Sequence, residues 1–347
     1  MPGTSSDLIR LGPLDPFPSA LPTHPLERRW LHYAFLSRDG SLGMVANLSW
    51  LGPDPTAPTE ATRRMHILLL HQRGLGWRAS QFNAQADEQP WSAFRLPNAF
   101  AAPQPFTLRA ASDSPFVRYQ MLRTSRPCTS QAAPFAGNQH LRWQSEPGVI
   151  ARGDWGFDDQ LIEQVESVGY HERVRGLWGW PEMGGWVFGF ANDPTAHGDD
   201  PPPTALVFTL IQPPHPADAT TGSVMLWRHG RMRRHFPRRC VEVAVRGLLD
   251  RDKITQVPEL ARLFGVAPMA PIPQRLVISA RSGDDWVLLD FECETAARIV
   301  IPNETGIAPY SVHEVIGPCK IEGRCGSDSF AFSFYGIVEF AGGARAD

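Results

Sequence analysis

The chain has 347 residues, and its 33 lysines and arginines stand against 36 aspartates and glutamates, a formal net charge of −3. At roughly 100–200 residues per domain, this length predicts two domains or one large domain. A hydrophobic content of 42% supports a sizeable core and excludes a largely disordered chain. The lack of excess cationic charge gives no reason to expect nucleic-acid binding. No apolar run approaches the ~20 residues of a transmembrane helix.

The five cysteines are scattered and odd in number, so they do not resemble a disulfide framework. No CxxC pair or other clustered metal ligands occur, and we predict no metal site. The N-terminal residues lack the basic and apolar regions of a signal peptide. We therefore expect a cytoplasmic protein with reduced thiols.

Short strands separated by turns dominate the first half of the chain. Residues 1–25 are rich in proline and are predicted to form an extended lead-in. Two apolar runs then flank Arg38–Ser41, whose Asp-Gly pair favours a hairpin because both residues tolerate positive φ. Similar pairs of runs flank residues 73–76, 112–115 and 146–148.

The second half continues the same pattern. Strands are predicted at Leu161–Tyr170, Trp186–Phe190, Ala205–Leu210, Val224–Arg228, Cys240–Val245, Arg275–Ala280, Trp286–Glu294, Ser311–Ile316 and Phe330–Phe340. The best helical candidate is the two-turn segment Pro258–Phe264, and alternating βαβ units are absent. We therefore predict an all-β protein with very little helix, built from two β domains over residues 26–155 and 156–347. No recurring sequence word demonstrates an internal repeat.

The common cofactor-binding motifs are missing. The sequence has no phosphate loop of the Walker type, no G-x-S-x-G elbow and no H-E-x-x-H helix. Gly74 and Gly76 are not followed by the third glycine of a dinucleotide-binding fingerprint. We predict that the protein uses no cofactor.

The most distinctive segment runs from residue 167 to residue 191 and concentrates histidine, glutamate, tryptophan and glycine. A histidine and a carboxylate can transfer protons, and tryptophan faces can stabilise a carbocation. Because neighbouring residues of a strand point to opposite faces, His171 and Glu172 are not expected to pair directly. The alternative interpretation is a glycine-rich barrel corner, packed by tryptophans around one buried histidine. Trp30, His32 and Tyr33, which open the first strand, are interpreted as core or pocket wall.

This segment resembles a G-Y-H-D-x-x-x-G-type signature, with Glu172 at the position of the more common aspartate. The matching residues are Gly169–Glu172, Gly176, Trp178-Gly179 and the tryptophan-containing strand Trp186–Phe190. The C-terminal Phe334–Phe340 is similar to the closing strand of the same proteins, with its G-x-x-E pattern. The chain thus resembles the double-lipocalin-like superfamily of carotenoid 1,2-hydratases (hydroxyneurosporene synthases), tocopherol cyclase-like proteins and lipocalin-type Diels–Alderases.

The resemblance implies two lipocalin-like β-barrel or sandwich domains in tandem and an apolar pocket for a polyene- or isoprenoid-like molecule. It implies cofactor-free cyclisation, isomerisation or hydration, in which His171 or Glu172 acts as the acid or base. The implied substrate-binding residues are Tyr170, Trp178, Trp180 and Trp186. The alternative is a carrier that binds a hydrophobic small molecule without chemistry. The sequence leaves the substrate, the reaction and the oligomeric state open.

A basic run spans Arg228–Arg239 and contains six arginines and two histidines. It could receive an anionic group, but the favoured interpretation is a solvated hairpin with His229-Gly230 at its turn.

Overall fold

The computed structural model describes residues 27–51, 63–85, 94–95, 104–109, 115–129, 133–134, 140–157, 160–178, 184–196, 198–212, 221–257, 271–301 and 310–343. Nearly all of these residues lie in strands, and short 3-10 turns occur at Arg238–Cys240 and Arg251–Lys253. The predicted all-β class is confirmed. The predicted helix Pro258–Phe264 lies outside the described residues. Over the described parts of the chain, no helix is long and apolar enough to cross a membrane.

The chain divides into two compact units. Unit 1 comprises the described parts of Met1–Arg38, Leu42–His71 and Arg78–Trp178, and unit 2 comprises those of Asp39–Ser41, Gln72–Trp77 and Gly179–Asp347. The main division therefore follows Trp178, whereas the sequence placed it after residue 155. The difference arises because residue 155 lies within the 18-residue strand His140–Phe157, which pairs with the next 18-residue strand, Gln160–Leu177, and both belong to unit 1.

Unit 1 is organised around one sheet, whose main path runs in the order β4-β3-β2-β1-β11-β10-β7-β6-β5. Its strands are β1 (Glu27–Ser37), β2 (Leu42–Leu51), β3 (Arg63–Gln72), β4 (Gly76–Gln85), β5 (Phe94–Arg95), β6 (Gln104–Arg109), β7 (Phe116–Arg123), β8 (Cys128–Thr129), β9 (Ala133–Pro134), β10 (His140–Phe157) and β11 (Gln160–Leu177). The short strands β8 and β9 pair with β10. The first strand therefore pairs with the last one, β11, and both lie at the centre of the sheet.

Unit 2 repeats this arrangement, with a main path in the order β15-β14-β13-β12-β22-β21-β19-β18-β16. Its strands are β12 (Gly185–Asn192), β13 (Thr204–Gln212), β14 (Thr221–Arg228), β15 (Arg231–Pro237), β16 (Val241–Arg246), β17 (Ile254–Val257), β18 (Arg275–Ser282), β19 (Asp285–Glu292), β20 (Thr295–Ile301), β21 (Tyr310–Cys325) and β22 (Asp328–Gly343). As in unit 1, the first four strands, β12 to β15, form a meander. The first of them, β12, also pairs with the last strand, β22. The two units are thus an internal structural repeat that no recurring sequence word revealed.

Side chains alternate between the two faces of each sheet because successive residues of a strand point in opposite directions. In unit 1, Leu31, Tyr33 and Phe35 face a buried hydrophobic core that also contains Tyr119 and Trp155. We call this side of the β1–β11–β10 sheet the inner face and the other side the outer face. In unit 2 the corresponding inner core is formed by a separate cluster of buried residues.

Three of the four hairpins predicted in the first half of the chain are present. The fourth predicted turn, at residues 146–148, is instead a bulge in the continuous strand β10, where the register shifts between Pro147 and Val149. Gly148 adopts a positive φ of 75°, as the glycine of such a bulge commonly does. The sequence Pro147-Gly148 is typical of a turn. Only the pairing of β10 with β11 shows that these residues form a bulge and not a turn.

The basic run forms the favoured hairpin, with strands β14 and β15 joined at His229-Gly230. Both turn residues have positive φ, 49° for His229 and 71° for Gly230, as a tight two-residue turn requires. This hairpin belongs to unit 2.

Candidate functional site

Strand β11 carries the distinctive sequence segment through the centre of unit 1. Gly169 lies within its buried part, and no larger residue fits there, since a Cβ atom would lie 2.0 Å from the carbonyl oxygen of Ala34 on β1. This close contact fixes the register of β1 against β11, which places His32 opposite Glu172 and Tyr33 opposite His171. Residues 169–177 are therefore part of one continuous strand, paired with β1 on one side and β10 on the other, and do not form a glycine-rich corner.

The outer face carries a buried carboxyl group, that of Glu172. Its Oε2 accepts a hydrogen bond of 2.5 Å from the Tyr170 hydroxyl, which also lies 2.9 Å from the Ser145 Oγ. Its Oε1 accepts a longer bond of 3.4 Å from the indole Nε1 of Trp30. Tyr170 is 0% exposed and Glu172 is 9% exposed, so the outer face at this point is shielded from water.

Burial and the neighbouring Glu172 charge raise the pKa of Tyr170 well above its usual value. The phenol therefore stays protonated and donates a hydrogen bond to the carboxyl group of Glu172. Each oxygen of this carboxyl group thus accepts one hydrogen bond. Ser145, Tyr170 and Glu172 therefore form a short, buried chain of hydrogen-bonded groups.

Aromatic side chains line one side of this carboxyl group. The rings of Trp30 and Trp178 meet edge to face, with 5.5 Å between their centroids. Arg28 fixes Trp178 twice, since its Nε donates to the Trp178 carbonyl oxygen at 2.8 Å and its guanidinium lies 4.8 Å from the ring centroid. Such π faces stabilise positive charge that develops nearby.

His32 lies opposite Glu172 on β1 and is buried on the same outer face. Burial lowers the pKa of His32 to about 4, so its imidazole is neutral at physiological pH. A neutral imidazole serves as a hydrogen-bonding group and not as a cation.

His171 lies on the inner face, opposite to Glu172. Its ring stacks on that of Tyr33, with 4.2 Å between centroids and an interplanar angle of 6°. Its Nδ1 lies 2.9 Å from the carbonyl oxygen of His32 and must carry the proton, because a carbonyl can only accept. Burial, followed by the charges of Arg173 and Arg123, lowers the pKa of His171 well below its usual value. The imidazole is therefore neutral, with its lone pair on Nε2, and offers no proton at neutral pH.

The structure brings some of the predicted site residues together and separates others. Tyr170, Glu172 and Trp178 belong to one outer-face cluster, whereas His171 lies on the inner face. Trp180 lies outside the described residues, and Trp186 belongs to unit 2. The sequence missed Ser145 and did not connect Trp30 to the carboxyl group, because both contacts depend on strand register.

Trp186 occupies a related setting in unit 2. Its indole N–H donates to a carboxyl oxygen of Glu339, and its ring stacks on Tyr310 at 5.6 Å between centroids. Glu339 lies opposite Glu314 on β21. Burial raises the pKa of Glu339, although hydrogen bonds from Glu314 and Trp186 act in the other direction.

The two tryptophan–glutamate pairs occupy equivalent positions in their sheets. Trp30 lies two residues before the partner of Glu172 on β1, and Trp186 lies two residues before the partner of Glu339 on β12. Both glutamates end a G-x-x-E sequence on the last strand of their unit.

Comparisons with known proteins identify similar folds at low sequence identity. No protein-family model matches the chain, and no curated protein matches it significantly. A crystal structure of a protein provisionally named AttH, from Nitrosomonas europaea, matches with a TM-score of 0.56 and 13% identity, over 94% of this chain and 97% of that one.

Two further solved structures match over most of their length. CghA, crystallised with Sch210972, has a TM-score of 0.53 and 9% identity, with 93% of this chain and 90% of that one covered. Kievitone hydratase from Nectria haematococca has a TM-score of 0.52 and 11% identity, with 90% and 88% covered. The sequence resemblance is thereby confirmed at the level of the fold: the chain has the tandem, double-lipocalin-like fold of these structures.

Proposed function

We propose that this protein is an enzyme of specialised metabolism that acts on a hydrophobic, polyene- or isoprenoid-like small molecule. It catalyses cyclisation, isomerisation or hydration by proton transfer and requires no cofactor. The observation that carries the proposal is the buried Glu172 carboxyl group, held by Tyr170 and Trp30 and connected to Ser145. Two proteins of similar fold add support, since one is a hydratase and another was crystallised with a small molecule.

Glu172 is the acid–base group in this proposal. The Glu172 carboxylic acid gives its proton to a double bond of the polyene, which becomes a carbocation. The cation returns to a neutral product by losing a proton to the resulting Glu172 carboxylate, or by adding water that then loses a proton to it. Both oxygens of Glu172 accept hydrogen bonds, so this group takes up the departing proton, and Tyr170 stabilises the resulting charge changes. The rings of Trp30 and Trp178 supply the aromatic surface that such a cation needs.

The proposal assigns His171 no direct role beside Glu172. The two side chains lie on opposite faces of β11, and the neutral His171 lacks an acidic proton on Nε2. Cofactor independence and a cytoplasmic location remain parts of the proposal, supported by the missing cofactor and signal motifs in the sequence.

The test is the Glu172→Gln variant, assayed for product by mass spectrometry with lycopene, squalene and geranylgeraniol as probe substrates. A positioned acid or base contributes roughly 10²–10⁴-fold to the rate, so turnover should fall by that factor. Glu163→Gln, at an exposed position of the same strand, is the matched control and should leave turnover unchanged. Wild-type turnover by Glu172→Gln would refute the assignment. Saturable binding of a probe without any turnover by the wild type would favour the alternative, a carrier.

A further inference from the structure

Strand β16 forms one edge of the unit 2 sheet. Within the part of the chain that the structure describes, it pairs with β18 on one side and with no strand on the other. Every residue from Glu242 to Leu248 is exposed, so this edge is open to solvent. Such an edge presents backbone N–H and C=O groups that can pair with a strand of another chain.

The apolar side of β16 extends beyond the hydrophobic core of its own unit. Val241, Val243 and Val245 occupy alternate positions and point to the inner side of the sheet, where Val241 belongs to the core. Val241 is 3% exposed, whereas Val243 is 39% and Val245 is 60% exposed. Leu248, just beyond the strand, is 64% exposed. β-Branched side chains are stabilised by neighbours on the next strand, and a strand added at this edge would supply them.

The charged side chains of β16 lie on the other face and are placed symmetrically about Ala244. Glu242 precedes Ala244 by two residues, and Arg246 follows it by two. If two copies of β16 pair antiparallel about Ala244, Glu242 of each lies opposite Arg246 of the other. Val243 of each then lies opposite Val245 of the other. Opposite charges and β-branched residues are both stabilising cross-strand pairs, so the strand is complementary to itself.

Within its own sheet, Arg246 has a cationic neighbour. It lies opposite Arg275 of β18, and like charges at opposite positions of neighbouring strands repel each other. Arg275 binds Asp290, with 2.6 Å between Nε and Oδ1, and its hydrogen bond is the main cause of the lowered pKa of Asp290, to which Arg246 adds a smaller effect. Glu242 faces the uncharged Ser279. A second copy would therefore give Arg246 an acidic neighbour and Glu242 a basic one.

The opposite edge of the same sheet is protected against such pairing. Strand β15 forms that edge and exposes Arg231, Arg233 and His235. Its register against β14 also shifts, between Leu226 and Trp227. Like charges and irregular pairing both keep an edge strand from pairing with another chain. Strand β16 has neither feature, since its pairing with β18 is regular and its two charges are of opposite sign.

We propose that β16 is a dimer interface, at which it pairs antiparallel with β16 of a second copy of this chain. A twofold axis at Ala244 relates the two copies, so the contact closes on itself and adds no third copy. Backbone hydrogen bonds join the two edges, the exposed valines pack on one face, and two Glu242–Arg246 pairs form on the other. This interface belongs to unit 2 and does not depend on the proposed acid–base chemistry of Glu172.

Charge reversal tests the interface, with sedimentation velocity of the full chain as the measurement. The wild type should be dimeric at roughly 100 μM, a concentration at which micromolar contacts are occupied. Glu242→Lys and Arg246→Glu each turn two attractive cross-strand pairs into repulsive ones, so each variant should dimerise at least about 10-fold more weakly. An equimolar mixture of the two variants should dimerise again, because every cross-strand pair then joins opposite charges. This recovery would also show that both variants are folded.

Arg233→Glu, at an exposed position of the other edge strand, is the matched control and should dimerise as the wild type does. The doubly reversed chain, Glu242→Lys with Arg246→Glu, should also dimerise, because it restores the pairs with their signs exchanged. The proposal is overturned if the wild type is monomeric at roughly 100 μM, or if either single reversal dimerises as strongly as the wild type. A mixture of the two single variants that stays monomeric would equally overturn it.

Discussion

Units 1 and 2 place a tryptophan and a glutamate at equivalent positions of the same topology, yet they surround the glutamate differently. In unit 1 the residue opposite Glu172 on the neighbouring strand is Ser145, whereas in unit 2 the residue opposite Glu339 is Glu314. On the first strand, His32 of unit 1 corresponds to Phe188 of unit 2. The fold therefore repeats the position of the carboxyl group, and its neighbours decide what that group can do.

The consequence is a difference in electrostatic environment. Glu172 accepts hydrogen bonds from a phenol and an indole, and the residue opposite it, Ser145, carries no charge. Glu339 lies beside a second carboxyl group, and burial raises its pKa, so it tends to hold a proton.

The glycines of the two G-x-x-E sequences should differ most in their tolerance of substitution. A Cβ at Gly169 would lie 2.0 Å from the Ala34 carbonyl oxygen, whereas one at Gly336 would lie 3.1 Å from that of Phe190. Gly169→Ala should therefore lower the free energy of unfolding by about 3 kcal/mol, and Gly336→Ala by less than about 1 kcal/mol. Urea denaturation of both variants measures the difference, and equal losses would show that the register of β11 is not fixed at Gly169.

The buried histidines should make the protein sensitive to acid in both units. Burial lowers the pKa of His32 in unit 1 and of His313 in unit 2 to about 4, from 6.5. Each neutral imidazole therefore contributes stability that is present above pH 6.5 and is lost as the pH falls towards 4. The loss is about 1 kcal/mol per histidine near pH 5.5 and about 3 kcal/mol near pH 4.

His32→Gln and His313→Gln should each flatten the decrease of unfolding free energy between pH 6.5 and 4. Urea denaturation across this range provides the measurement, and His229→Gln, at the hairpin turn of unit 2, is the control. An unchanged slope in either buried-histidine variant would contradict the neutral state assigned to that residue.

The two tryptophans should give the smallest difference. The hydrogen bond from Trp30 to Glu172 is long, at 3.4 Å, and Glu172 keeps its bond from Tyr170 when the indole is removed. Trp186→Phe should therefore cost about 1 kcal/mol more than Trp30→Phe, since it takes away a hydrogen bond to the buried Glu339, whereas Glu172 is still held by Tyr170. Thermal unfolding of both variants tests this, because the loss of ring volume is the same in each. A larger cost for Trp30→Phe would reverse the ranking.

The sequence predicted the features that depend on neighbouring residues. Turn residues such as Asp39-Gly40 and His229-Gly230 identify hairpins, because positive φ is a local property. Alternation along a strand also anticipated that His171 and Glu172 would point to opposite faces.

The sequence could not predict features that depend on strand register. Trp30 and Glu172 are 142 positions apart, and Trp186 and Glu339 are 153 apart, so no local spacing connects them. The bulge at Gly148 has the composition of a turn, which shortened the predicted strand and moved the predicted boundary to residue 155.

Deuterium transfer from solvent tests the central claim most directly, namely that Glu172 of unit 1 carries the proton chemistry. In D₂O, the wild type should convert a probe polyene into a product that contains deuterium at the carbon that gains a proton, as read by mass spectrometry. Glu172→Gln should form this labelled product roughly 10²–10⁴-fold more slowly, while Glu339→Gln should form it at close to the wild-type rate. If Glu172→Gln labels the product as fast as the wild type, or if only Glu339→Gln abolishes labelling, the assignment of the chemistry to unit 1 is contradicted.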